Sequence, residues 1–312
     1  MIRQEEISAI LDAQAEIFRK KENGLTREAL AGVPAVPSFA TIITGIRRCG
    51  KSTLLRMIAG ILRPTSGHIT IDGLPVYDNP AAKKKFCFIP DDPYFFPNAT
   101  AESMARDYAA VYQDFDQERF ARLLADFRLE PKRRIHDYSK GMKRQLAILL
   151  GLCTNTKYLL LDEVFDGLDP VMRQSMKSLF SEDMDRRQLT PIIASHNLRE
   201  LEDICDHIGF LHSGGLLLSE DLADMKLEIQ KLQCVFKDDR DMEEVLGKLK
   251  LVDHSSRGRL HTLVVRGNRS EVEAVFDHVP MTFFEILPLT LEEIFIAEAE
   301  AVGYDTRKLI LK

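Results

Sequence analysis

The feature that most constrains this chain is a short pattern: Gly45, Gly50, Lys51 and Ser52 fit G-x-x-x-x-G-K-[ST]. Before it, Phe39 to Thr44 is apolar and β-branched and reads as a strand. After it, Thr53 to Leu62 reads as a helix. Strand, loop and helix in that order make a phosphate-binding loop of the pattern. Glycines let backbone N–H groups curl around phosphates because no Cβ blocks the turn. The helix start adds the positive end of its dipole. Lys51 would reach the β- and γ-phosphates, the Ser52 hydroxyl would ligate Mg²⁺, and Cys49 and Thr53 bracket the Gly50–Ser52 triplet. The competing reading is a glycine-rich turn with no ligand.

The chain has 312 residues, room for about two domains on the usual ~150-residue scale. Its 45% hydrophobic and 29% charged content is that of a soluble globular protein. A net charge of −6 argues against nucleic-acid binding driven by overall charge, so no nucleic acid is expected as a partner. No apolar run reaches the roughly 18 residues of a membrane span, and the first residues carry no signal-peptide core. Five cysteines without C-x-x-C spacing point to a reduced setting rather than disulfides or zinc.

Further along, helical patterns at 100–112, 116–129, 139–153, 170–180 and 198–205 alternate with strand-like runs at 86–90, 158–162 and 191–195. Such alternation implies a parallel sheet covered on both faces. From about residue 232, three strands (232–236, 260–266, 281–287) alternate with three helices (242–249, 270–276, 291–301), a small antiparallel split-βαβ domain. The run Tyr158 to Asp162 is an apolar strand ending in Asp162 and Glu163. The carboxyl end of such a strand is where ligands of open α/β sheets bind. Asp162 there suits Mg²⁺, held through water, and Glu163 suits polarising an attacking water. An ordinary acidic surface turn is the alternative.

With these residues in view, the chain resembles the ATP-binding subunits of ABC transporters. Tyr138-Ser-Lys-Gly-Met142 is similar to the family's signature loop. Leu161-Asp-Glu-Val-Phe-Asp-Gly-Leu-Asp-Pro170 resembles Walker B followed by the D-loop, with Asp169 as the D-loop acid. Ala194-Ser-His196 resembles the switch histidine, and Phe88-Ile-Pro-Asp91-Asp92 occupies the Q-loop position. The resemblance implies a P-loop NTPase fold, a RecA-like parallel sheet with a helical signature subdomain at about 98–150, and ATP and Mg²⁺ as cofactors. It implies that Glu163 and His196 are catalytic, and that Ser139 and Gly141 face the ATP of another subunit. It also implies a homodimer or heterodimer of such subunits and a separate membrane permease, placing the chain at the inner face of the membrane. The acidic Q-loop position and the tail Glu285 to Phe295 resemble exporter-type subunits. Read from the residues alone, the alternatives are an ordinary helix N-cap for Ser139 and a packing or cap residue for His196.

The front of the chain departs from this family. Residues 1–38 read as a helical lead-in, where the family has antiparallel strands and an adenine-stacking aromatic. Phe18 lies on an apolar helical stripe and suits core packing better than stacking. The loop Gly45-Ile-Arg-Arg-Cys-Gly-Lys-Ser52 resembles AAA-like P-loop ATPases, so the runner-up function is a soluble ATPase acting on protein or nucleic acid. Arg47 and Arg48 either face phosphates or are solvated. Asp91 stands where the family has glutamine and is expected to add an extra carboxylate near the metal, joining Ser52 and Asp162 as metal donors. The aromatics Tyr94-Phe-Phe96 are either a docking surface or core. The expected domains are 1–38, an ATPase domain at 39–225, and an accessory domain at 230–312.

Overall fold

The computed structural model describes residues 40–45, 49–212 and 214–301. The expected N-terminal helices, Phe18, Arg47 and Arg48 lie outside these residues. The chain forms two compact units. One is built from residues up to Asn197 together with His207–Ser219; the other is built from Leu198–Asp206 and Glu220 onward.

The first unit holds a six-stranded sheet in the order β4-β5-β6-β1-β7-β8: β4 (Phe86–Ile89), β5 (Tyr158–Asp162), β6 (Thr190–Ala194), β1 (Thr41–Gly45), β7 (His207–His212) and β8 (Gly215–Asp221). The pairs from β4 through β7 are parallel. β1 and β5 are buried at every position, as expected of strands covered on both faces. Ile42, Leu55, Leu159 and Leu160 are fully buried, and each such side chain gains roughly 1.5–3 kcal/mol by leaving water.

The register fixes where chemistry can sit. Ile43 lies opposite Ala194, Asp162 opposite Ala194, and Ile89 opposite Leu161. The carboxyl ends of β1, β4, β5 and β6 therefore all lie at the same end of the sheet.

After β1 comes α1 (Lys51–Ile58), shorter than the expected 53–62. Gly60, at φ +63, terminates it: Gly60 N–H donates to Met57 and Ile61 N–H to Arg56. This pair of hydrogen bonds is the Schellman stop, which needs a left-handed residue that glycine supplies at no steric cost. A two-stranded hairpin follows, β2 (Thr70–Ile71) and β3 (Leu74–Pro75), then a single turn α2 (Pro80–Lys83).

Three helices make the expected helical subdomain: α3 (Ala101–Val111), α4 (Gln117–Asp126) and α5 (Lys140–Cys153). Thr100 and Ser103 form a capping box on α3, and Asp116 caps α4. The helix after β5, α6 (Pro170–Arg187), runs well past the expected residue 180. Its fully buried Asp183 pairs with Arg119 of α4 at 2.7 Å and with Arg187 at 3.0 Å, which offsets the cost of burying that charge.

In the second unit, the expected helix 198–205 is only a 3₁₀ turn, Leu198–Glu200. A helix α7 (Leu222–Glu228) leads into β9 (Ile229–Phe236), α8 (Asp239–Lys248), β10 (Lys250–Arg257), β11 (Leu260–Arg266), α9 (Arg269–Phe276), β12 (Met281–Leu287) and α10 (Leu291–Ala301). The sheet order is β10-β11-β9-β12 and every pair is antiparallel. This is the split-βαβ arrangement expected, with one strand more than the sequence reading. Leu232, Cys234, Phe236, Leu263 and Val265 pack with Val245, Val272 and Phe276 of α8 and α9. Lys231–Glu293 at 2.7 Å and Arg266–Glu298 at 2.8 Å tie α10 to β9 and β11.

Candidate functional site

The site is built where β1, β4, β5 and β6 end. Gly45 closes β1 at φ +152, and a Cβ there would lie 2.1 Å from the Leu211 carbonyl oxygen, so no side chain fits. Cys49 is buried, and its carbonyl accepts from Gly214 N–H at 3.0 Å. Gly50 is the N-cap residue of α1 at φ +102, again a glycine-favouring conformation. Lys51 opens the helix and is buried at 6% exposure. Its Nζ donates to the Gly45 carbonyl at 2.7 Å and stands 3.7 Å from Glu163 Oε1. Thr53 follows, half-buried on α1.

Ser52 Oγ donates to Asp162 Oδ1 at 2.9 Å, joining the loop to the end of β5. Asp162 is 1% exposed, and its Oδ2 has no hydrogen-bond partner. Burial pushes its carboxyl above the usual range. The Ser52 hydroxyl pulls it down, and nearby Glu163 pushes it up again. A buried carboxylate with one oxygen unengaged, beside a hydroxyl, is a donor set that suits a hard divalent cation.

Glu163 follows at φ +49, unusual for a residue with a Cβ. Its Oε2 accepts from His196 N–H at 3.3 Å and lies 2.9 Å from His196 Nδ1. One ligand atom each from Glu163, Asp166 and His196 lies within 4.8 Å of the others. His196 is thus neither core nor cap: its side chain is 30% exposed and meets Glu163.

Ser139 caps α5, its Oγ accepting from Met142 N–H at 3.2 Å. Gly141 lies in the first turn, where a Cβ would come 3.3 Å from the Gly167 carbonyl. Asp169 caps α6, accepting from Met172 N–H at 2.9 Å. Both are exposed helix caps in this chain, as the simpler reading of Ser139 had it. Tyr94 and Phe96 are 73% and 55% exposed and stack edge to face at 5.8 Å, which removes them from the core.

Asp91 follows β4. Its carboxylate pairs with the buried guanidinium of Arg144 on α5 and makes no hydrogen bond to Ser52 or Asp162. Its charge also acts on Asp162, pushing that carboxyl up. Arg144 was not singled out from the sequence. Apart from Asp91, its partners are backbone carbonyls, which leave no mark in a motif.

The comparisons with known proteins follow this geometry. The family profile described as "ABC transporter" matches residues 37–166, phosphate loop included. The thiamine import ATP-binding protein ThiQ of Jannaschia sp. is 32% identical over 187 residues, covering 58% of this chain and 82% of ThiQ. This chain belongs to the ABC transporter ATP-binding family. It is an ATPase subunit of that family and binds ATP. The ABC transporter ATP-binding protein YtrB of Bacillus subtilis is 27% identical over 256 residues, 82% of this chain and 87% of YtrB. A solved ATP-binding subunit of an ABC transporter superposes with a TM-score of 0.56 at 26% identity, over 61% of this chain and 81% of its own. The fold is that of an ABC ATPase cassette. No described helix is long and apolar enough to cross a membrane.

Proposed function

We propose that two such subunits close around two ATP molecules and that hydrolysis drives a separate membrane permease, in the direction of export. The observation that carries this is the carboxyl end of the sheet, where Ser52–Asp162 and Glu163–His196 each meet at 2.9 Å. Backbone N–H groups at Gly50 and the start of α1 and the Lys51 ammonium would cradle the phosphates, with Cys49 and Thr53 beside them. Lys51 is already held between a carbonyl and a carboxylate, so a phosphate would replace neighbours of the same sign.

Ser52 and Asp162 would hold Mg²⁺, which would supply positive charge to offset the charge developing on the phosphates. Glu163 polarises the attacking water, and His196 orients Glu163 and contacts the γ-phosphate. Ser139, Gly141 and Asp169 serve the partner subunit's nucleotide, because one chain carries one phosphate loop and one signature loop. The exposed Tyr94 and Phe96 are the docking surface for the permease, which places the subunit at the inner membrane face. The exporter-like tail at 285–295 supports the direction. The second unit is an accessory domain for regulation or subunit contact.

Glu163→Gln tests the reading. Its turnover is expected to fall at least about 100-fold, the scale of general-base catalysis, while ATP is retained and subunits pair. Phosphate release and light scattering with ATP and Mg²⁺ measure both. Turnover close to wild type removes Glu163 from the chemistry, and a chain that stays monomeric removes the shared site.

A further inference from the structure

Arg144 lies on α5, the helix that Ser139 caps, and its side chain is 3% exposed. Its guanidinium reaches two separate stretches of the first unit, the turn at Glu163–Asp166 and the segment at Asp91. Nη1 donates to the Glu163 carbonyl at 2.5 Å and to the Asp166 carbonyl at 2.6 Å. Nη2 donates to the Asp91 carbonyl at 3.0 Å and pairs with the Asp91 carboxylate. The Glu163 carbonyl also accepts from Asp166 N–H at 3.3 Å, so Arg144 grips both ends of one tight turn. That turn is where Glu163 takes its left-handed φ of +49, the conformation that aims its carboxylate at His196.

We propose that Arg144 is a positioning residue for hydrolysis. It sets the aim of the Glu163 carboxylate through the turn at Glu163–Asp166 and ties that aim to the segment after β4 through Asp91. The proposal rests on the reading of Glu163 as the carboxylate that polarises water. A planar fork of N–H donors suits acceptors spread across one plane, and a lysine ammonium on a flexible stem does not. Asp91 supplies the counter-charge that lets a guanidinium sit buried there, which gives this acid a role without a metal. The signature helix, the segment after β4 and the end of β5 then move as one piece, so a displacement of any of them reaches Glu163.

The test uses the full chain and compares Arg144→Lys, Asp91→Asn, Glu163→Gln and the double variant R144K/E163Q. Steady-state phosphate release is normalised to the sites that bind a fluorescent ATP analogue. Arg144→Lys is expected to lower kcat about tenfold or more, with KM for ATP within about twofold, since misplacement by an ångström costs rate rather than binding. Asp91→Asn is expected to lower kcat about threefold in the same pattern. R144K/E163Q should be no slower than Glu163→Gln by more than about twofold, because both act through one group.

A merely structural role would reduce the number of binding-competent sites and leave kcat per site unchanged, and that result overturns the proposal. So does a further tenfold loss in the double variant. If Arg144→Lys does not fold, Asp91→Asn decides alone: unchanged kcat overturns the proposal. Hydrolysis undiminished in Glu163→Gln defeats the underlying reading. A slow Glu163→Gln with normal Arg144→Lys and Asp91→Asn defeats only the role given to Arg144.

Discussion

The two sheets of this molecule treat their charged groups in opposite ways. In the first unit, polar atoms are buried and left incomplete, at the end of β5 and on α5: Asp162 Oδ2 and Arg144 Nε lack hydrogen-bond partners. Glu163 sits in a conformation that a residue with a Cβ rarely adopts. In the second unit, the charges on β9 and β11 are matched by α10, Lys231 with Glu293 and Arg266 with Glu298, and no buried side-chain polar atom is without a hydrogen bond among its described residues. An incomplete donor set costs stability, and a ligand can repay that cost. A completed set contributes stability and offers a ligand nothing.

The sharpest way to break this comparison is Asp162→Asn. If Asp162 is held ready for a cation, the variant should lose at least about 100-fold in Mg²⁺-dependent hydrolysis, the scale of Lewis-acid stabilisation. Without nucleotide it should instead be more stable, by about 1 kcal/mol or about 2–4 °C, because a buried charge with a missing partner is gone. The pH dependence has a definite sign. The folded carboxyl titrates above its unfolded value, so wild type loses stability as pH rises through the folded pKa. The Asn variant should lack that loss in paired thermal melts. A variant less stable than wild type at neutral pH would mean that Asp162 is structural.

Glu293→Gln probes the other side. Burial raises the Glu293 carboxyl, but Lys231 and Thr290 outweigh it and hold the group below its usual range. Its stabilisation is therefore present above the unfolded pKa and lost as pH falls through the folded one. The variant should be less stable by about 1 kcal/mol at neutral pH and equal to wild type in acid, with hydrolysis within about twofold. A large loss of hydrolysis would undo the contrast between the two sheets. The smallest effect is expected from Glu244→Gln. This removes the exposed Glu244–Lys248 pair at 2.6 Å and should leave the melting curve unmoved.

How much was legible in the sequence follows the same division. Gly45, Gly50, Lys51 and Ser52 announce themselves because a phosphate cradle tolerates few residue types, and Asp162 with Glu163 ends a strand of unbroken apolar residues. β10 was missed because Lys250–Arg257 holds only Leu251 and Val252 as apolar residues. It is an edge strand of largely exposed residues, and edges are kept polar to discourage pairing with other chains. At 198–205, Leu198, Leu201, Ile204 and Cys205 have helical spacing and are indeed buried, yet only Leu198–Glu200 is helical. Burial was correctly signalled there, and backbone shape was not. The pairing of Asp91 with Arg144 could not be read, because 53 positions separate them and nothing local marks either as the other's partner.

The left-handed turn at Glu163 has a consequence for residue order. Two acids in succession on an ordinary extended backbone would alternate in direction by the pleat alone. Here the twist at the second one directs the neighbours to different tasks, one inward to the serine of the loop and one outward to the histidine of the next strand. A chain with the same pair transposed would keep its composition and charge, but its rigid position would hold the wrong side-chain length and its turn would hold the shorter arm.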